Sequence, residues 1–114
     1  PTPTPTPTPT PGPGGCTAAY RVVNQWGDGF IGGVIVTNRG TAPMNGWTVT
    51  WTFPGNQRIT NLWNGVLTPN GANMSVRNQS YNGTIQPGAS TEFGFQGAFS
   101  GTNGLPTAVS CTTP

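Results

Sequence analysis

The sequence predicts an all-β fold, an antiparallel β-sandwich of immunoglobulin-like or jelly-roll-like type. Three observations lead there. Large apolar residues recur with period two, Gly, Asn and Pro turn signals interrupt them every few residues, and two cysteines bound the patterned region. No stretch has helical spacing.

Taken in order, residues 1–11 alternate Pro and Thr, and Gly12-Pro13-Gly14-Gly15 follows. Alternating proline fixes φ at every second residue and removes every second donor, so neither helix nor sheet forms. Residues 1–15 are therefore expected to be an extended, semi-rigid linker. Its threonines are O-glycosylation candidates, but a bare spacer is the preferred reading. A spacer with nothing before it marks the chain as the expected C-terminal piece of a longer protein, with no signal peptide in view. Cys16 opens the expected module, residues 16–111, and Cys111 closes it. At opposite ends of a histidine-free domain they read best as a disulfide tying the termini together, in preference to two free buried thiols. A disulfide implies a secreted, extracellular protein. Residues 112–114 are left as a tail.

Between the cysteines, residues 47–53 place Trp47, Val49, Trp51 and Phe53 on one face and threonines on the other. Residues 92–99 place Phe93, Phe95 and Phe99 on one face, with Glu92, Gly94, Gln96 and Ala98 opposite. Residues 30–38 are β-branched, with Gly32 and Gly33 as a bulge or close-approach point. Residues 20–23, 58–63 and 74–78 are shorter strand candidates. Asp28-Gly29, Asn45-Gly46, Pro54-Gly55-Asn56, Asn64-Gly65, Pro69-Asn70-Gly71, Asn82-Gly83 and Pro87-Gly88 supply the turns.

Charge excludes most chemistry. The 114 residues hold four cations, all arginine, two acids, Asp28 and Glu92, and no histidine. Paired-carboxylate catalysis needs two acids across one bond, and a Ser–His–Asp site needs an imidazole. Zinc lacks its usual ligands, and calcium wants more carboxylates. No metal, cofactor or catalytic residue is expected, so the chain is not read as an enzyme. A net charge of +2 from scattered arginines is not a nucleic-acid footprint. No apolar run approaches the roughly 20 residues that cross a membrane. Arg21, Arg39 and Arg58 are expected on solvated faces, and Arg77 as a structural or rim residue.

Three aromatics stand outside the core pattern. Trp26, Trp63 and Tyr81 each follow polar neighbours and precede a glycine within three residues. One tryptophan beside a turn is ordinarily a buried capping residue. Three in the same setting suggest a binding surface. Amides surround them and charge is scarce, which suits a neutral partner with CH faces and hydroxyls. That partner is a sugar polymer: rings cover the flat pyranose face and amides bond its hydroxyls.

Residues 16–111 resemble the family-2 carbohydrate-binding modules of bacterial cellulases, xylanases and related oxidative enzymes. The resemblance rests on Asn24-Gln25-Trp26, Gly46-Trp47-Thr48 leading to Phe53-Pro54, Leu62-Trp63 and Val76-Arg77-Asn78. Tyr81-Asn82-Gly83, Phe93-Gly94-Phe95, Gly101-Thr102-Asn103 and Pro106-Thr107 continue it. It implies a sandwich with three aligned aromatics on a flat face that docks on cellulose. Trp26, Trp63 and Tyr81 match the platform positions, and Asn24, Asn61, Glu92 and Gln96 the flanking polar ones. Trp47 matches a core position. In the family's xylan-binding branch an arginine stands three residues after the first platform tryptophan. Here that residue is Gly29, which resembles the cellulose-binding (type a) branch. Tyr81 replaces a frequent Trp, and Glu92 a frequent amide.

The expected function is thus non-catalytic adsorption to crystalline cellulose, more weakly to cello-oligosaccharides, as a monomer that targets a linked upstream catalytic domain. The alternatives are a protein-interaction or structural sandwich, and a xylan- or chitin-binding variant. Asn73, Asn78 and Asn82 head glycosylation sequons, which an Asn/Thr-rich chain produces by chance.

Overall fold

A computed structural model describes residues 15–106 and 108–113. Residues 1–14, where most of the expected spacer falls, lie outside them, as do Thr107 and Pro114. The described residues form ten strands and no α-helix: β1 (Cys16–Trp26), β2 (Gly29–Asn38), β3 (Met44–Asn45), β4 (Thr48–Thr52), β5 (Arg58–Trp63), β6 (Val66–Asn70), β7 (Asn73–Arg77), β8 (Thr84–Ile85), β9 (Ser90–Ala98) and β10 (Ser110–Thr112). A front sheet has the order β1-β2-β9-β5 and a back sheet β10-β4-β7-β6, while β3 and β8 form a small ribbon. Every pairing is antiparallel. The fold is the expected sandwich.

The alternation in β4 and β9 builds the core. Trp47, Val49, Trp51 and Phe53 from one side meet Phe30, Phe93 and Phe95 from the other, all buried. Trp47 stacks on Phe93 with centroids 5.5 Å apart and planes 11° from parallel. Trp51 stacks on Phe95 at 5.7 Å and 22°. Offset stacks of this kind add to burial and hold the two sheets in one register. Gly32 is a close-approach point, because a Cβ there would collide with the Phe95 ring. It is not a bulge. The bulges lie in the two edge strands of the front sheet, between Val22 and Asn24 and between Ile59 and Asn61.

Other elements escape the alternation rule. β1 runs eleven residues, far beyond residues 20–23. β6 continues through Pro69, where the sequence suggests a turn. Proline is tolerated there because β6 is an edge strand and needs no second ladder. The turn comes at Gly71, whose φ is +63°. β3, β8 and β10 have two or three residues each, too few to show a period. β10 reaches Thr112, and the Thr113 hydroxyl donates to the Gly46 carbonyl at 2.8 Å.

Cys16 and Cys111 are bonded, with Cα atoms 5.5 Å apart. The bond joins β1 of the front sheet to β10 of the back sheet, so it ties the termini and closes one edge of the sandwich together. It spans 95 residues of chain. Its loss, by Cys16→Ser with Cys111→Ser, is expected to cost about 3–5 kcal/mol in a urea titration, because the unfolded chain regains loop entropy.

Tyr20 packs between Trp51 and Phe95. Its hydroxyl is buried without a hydrogen-bond partner among the described residues, and burial pushes its pKa well up. The unfolded phenol ionises near pH 10 while the folded one stays neutral. Its contribution is whole below that pH and is lost progressively as pH rises above it toward the raised folded value. Tyr20→Phe is expected to match wild-type stability at pH 7 and to flatten the fall in thermal midpoint between about pH 9.5 and 11.

Candidate functional site

The outer face of the front sheet carries the sequence-predicted residues, and the two bulges decide this. In β1 the even-numbered residues Ala18, Tyr20 and Val22 point inward, so unbroken alternation would send Trp26 into the core. The extra residue Val23 shifts the parity, and Trp26 pairs with Gly29 on the outer face. In β5, Ile59 points inward, and unbroken alternation would bury Trp63. The extra residue Thr60 shifts the parity there, so Leu62 packs on the core and Trp63 pairs outward with Gly94.

Each ring then rests on a glycine. A Cβ added to Gly29 would lie 2.5 Å from Trp26 Nε1, and one added to Gly94 would lie 2.5 Å from Trp63 Nε1. In both cases Cε2 and Cζ2 are the next atoms met. The two tryptophans use the same ring edge on the same kind of seat. Any side chain at either glycine would lift its ring. Trp26 keeps 41% of its surface exposed and Trp63 40%, so about two-fifths of each is presented to solvent. Gly29 and Gly94 sit one strand and four residues apart, which places the rings about 14 Å from each other by strand spacing and rise.

Polar residues fill the space between the rings. The register sets Asn24, Ile31, Gln96 and Asn61 in one cross-strand row, midway between the row of Trp26 and that of Trp63. Asn24 Oδ1 accepts from the Gln25 amide at 2.9 Å, leaving its NH2 group free to donate. Glu92 lies two residues beyond Gly94 on β9. Its carboxylate accepts from Arg21 at 2.6 Å, so Arg21, on a solvated face as expected, is also an ion-pair partner.

Tyr81 comes from elsewhere. It lies in the loop between β7 and β8, with 70% of its surface exposed. Asn64 fetches it. Asn64 follows Trp63 directly and takes a left-handed φ of 62°, a conformation asparagine tolerates better than most. The Tyr81 hydroxyl donates to Asn64 Oδ1 at 2.9 Å, and Asn82 Nδ2 donates to the Asn64 carbonyl at 2.7 Å. Asn82 Oδ1 also accepts from the Gln79 amide at 2.8 Å, and Asn78 Oδ1 from the Trp47 amide at 3.0 Å. The sequon residues Asn78 and Asn82 thus spend their side chains building the Tyr81 loop. Asn64, Asn82 and Gly94 read in the sequence as turn, sequon or strand residues and not as site residues. Gly94 alone left a signal there, an outward glycine inside a strand, which marks close approach.

The described residues contain no group of three His, Cys, Asp or Glu that could hold a metal ion. Trp26, Trp63 and Tyr81 make an exposed aromatic cluster with amides between the two tryptophans, a surface able to cover apolar faces and bond hydroxyls. A Gly94→Val substitution is expected to displace Trp63 while the fold survives. The measurement is an increased acrylamide-quenchable fraction of tryptophan fluorescence with an unchanged far-UV spectrum.

The family described as "Cellulose binding domain" matches residues 16–113. Endoglucanase A of Thermobispora bispora is 52% identical over 97 residues, which make up 85% of this chain but only 21% of that relative. A cellulose-binding family 2 carbohydrate-binding domain solved by NMR is 38% identical, with a TM-score of 0.68 over 87% of this chain and 96% of that one. A chitin-binding domain from Streptomyces coelicolor is 36% identical, with a TM-score of 0.69 over 84% of this chain and 89% of that one. The chain belongs to the cellulose-binding domain family and is a non-catalytic binding module.

Proposed function

We propose that this module adsorbs to the flat face of crystalline cellulose. The observation that carries the reading is the pair of tryptophans seated on Gly29 and Gly94 of one sheet face, with Tyr81 tied beside Trp63 through Asn64. Each ring covers the CH face of one sugar unit and releases the water between them. Asn24, Asn61 and Gln96 bond the hydroxyls along the chain those rings cover, and Glu92 bonds hydroxyls at the outer margin, where a neighbouring chain of the surface lies. About 100 Å² of each tryptophan remains to be buried, worth on the order of 2.5 kcal/mol before ordering costs. Three rings on a rigid sheet suffice for micromolar affinity after those costs.

Gly29 supports cellulose over xylan. An arginine there would occupy the seat of the Trp26 ring and turn it, which suits a twisted chain. A flat surface needs the ring as it stands. The exposure of all three aromatics weighs against a purely structural sandwich, which would bury them. The similarity to a chitin-binding domain makes chitin the control polymer.

The same reading treats residues 1–15 as a spacer, 16–111 as the module and 112–114 as a tail. It places the module as a monomer on a secreted enzyme that degrades polysaccharide. The disulfide supports an extracellular setting. The module spans only 21%, 13% and 12% of three endoglucanase and exoglucanase relatives, as a linked targeting unit would. Tethering raises the local concentration of the catalytic domain on the polymer.

Depletion from solution by crystalline cellulose, chitin and insoluble xylan tests the assignment. Wild type is expected to favour cellulose, with affinity nearly constant from 50 mM to 1 M salt because charges take little part. Trp26→Ala or Trp63→Ala is expected to weaken adsorption by about 30- to 100-fold with the fold intact. Normal adsorption by the folded double variant, or preference for xylan, would sink the reading.

A further inference from the structure

The front face holds a second feature beside the aromatic strip. Val23, the bulge residue of β1, has no partner in the β1–β2 register and keeps 57% of its surface exposed. Next to it, Arg21 Nη2 and Glu92 Oε2 meet at 2.6 Å across Gly33. A Cβ added to Gly33 would lie 3.1 Å from Glu92 Oε2, 3.4 Å from Val23 Cγ2 and 3.6 Å from Arg21 Nε. Gly33 is thus a third glycine seat, occupied by an ion pair and an isopropyl group where Gly29 and Gly94 carry indoles.

We propose that Val23 and the Arg21–Glu92 pair form a lateral contact strip for a second polysaccharide chain, lying beside the one covered by the aromatic rings. The inference rests on the cellulose reading above and deepens it. The supporting geometry is the sheet lattice. Trp26 rests over β2 and Trp63 over β9, so the line through them runs obliquely along those two strands. The backbone of Arg21 and Val23 belongs to β1, roughly 7–9 Å to the side of that line, and the ion pair over Gly33 lies about 5 Å to the same side by strand spacing and rise. That offset exceeds half the width of a pyranose ring. A single chain on the rings leaves the strip uncovered, whereas a sheet of parallel chains brings a neighbour over it.

The chemistry fits the edge of such a neighbour. Val23 offers methyl groups for CH contact. The guanidinium keeps N–H donors beyond the one given to Glu92, and the carboxylate keeps lone pairs for hydroxyl protons. The pair is neutral as a unit. Stability does not account for it, since exposed ion pairs contribute little, and this one is about half exposed, 56% and 46% for its two side chains. Nor does packing explain an aliphatic bulge residue pointing to solvent beside it.

The test compares a multi-chain surface with a single chain. Microcrystalline cellulose and cellohexaose are the two probes, and Val23→Ser with Arg21→Gln is the variant. Val23→Thr, which preserves the branched shape, replaces Val23→Ser if the latter lowers the thermal midpoint. Affinity for microcrystalline cellulose is expected to fall about three- to tenfold, while affinity for cellohexaose stays unchanged. An equal fall on both probes would place these residues in the single-chain site and overturn the inference, and undiminished adsorption to the crystalline polymer would overturn it too. Trp26→Ala serves as the reference, expected to weaken both. If wild type binds neither probe, the cellulose reading itself fails and the lateral strip goes with it. If wild type and Trp26→Ala behave as expected but the double variant matches wild type, only the lateral strip fails.

Discussion

The exposed aromatic face depends on one backbone irregularity used twice. A β-bulge adds a residue to one strand and exchanges the faces of everything beyond it. In β1 the added residue is Val23, and in β5 it is Thr60. Before each bulge the inward positions feed the core, with Tyr20 and Val22 in β1 and Ile59 in β5. Beyond each bulge the tryptophan that would have followed them inward faces solvent. The two strands are the edges of the same sheet. Edges are where bulges cost least, because only one ladder is interrupted. An exposed aromatic pair and a close-packed core are thereby built from the same strands without competing for the same positions.

The central strands supply what the edges need. β2 and β9 keep strict alternation, so Phe30, Phe93 and Phe95 pack inward against Trp47, Trp51 and Phe53. Their outward positions carry Gly29, Gly33 and Gly94. A side chain arriving from a neighbouring strand can lie down on each of these. The stacked core beneath gives the glycine strands stiffness they would not have alone, since glycine in a strand loses more entropy and packs less. An ordered surface of this kind has less conformational freedom to lose on contact with a ligand.

The third ring is held by polar bonds. Asn64, Asn82 and Asn78 connect the end of β5, the Tyr81 loop and the start of β4 by side-chain hydrogen bonds of 2.7–3.0 Å. Amides suit this task because each one both donates and accepts. Amides also provide three of the four residues in the row between the two tryptophans. This accounts for a composition rich in asparagine and poor in charge: amides serve as internal struts and as the exposed surface between the rings.

The sequence alone determined the sandwich, its aromatic core, the linkage of its two cysteines and the three aromatics that the core leaves exposed. Each of these is written in local terms, as period-two alternation, turn residues, or an aromatic set among amides beside a turn. Its scarcity of charge already excluded catalysis by paired acids or by histidine. It did not determine which way Trp26 and Trp63 point, because one inserted residue reverses alternation and nothing local marks Val23 or Thr60 as inserted. It did not pair Arg21 with Glu92, 71 positions apart, or bring Asn64 to Tyr81. Those depend on which strands become neighbours and in which register. Only the packing of the two sheets decides that, since a register is selected by the core it buries and not by the residues it leaves outside.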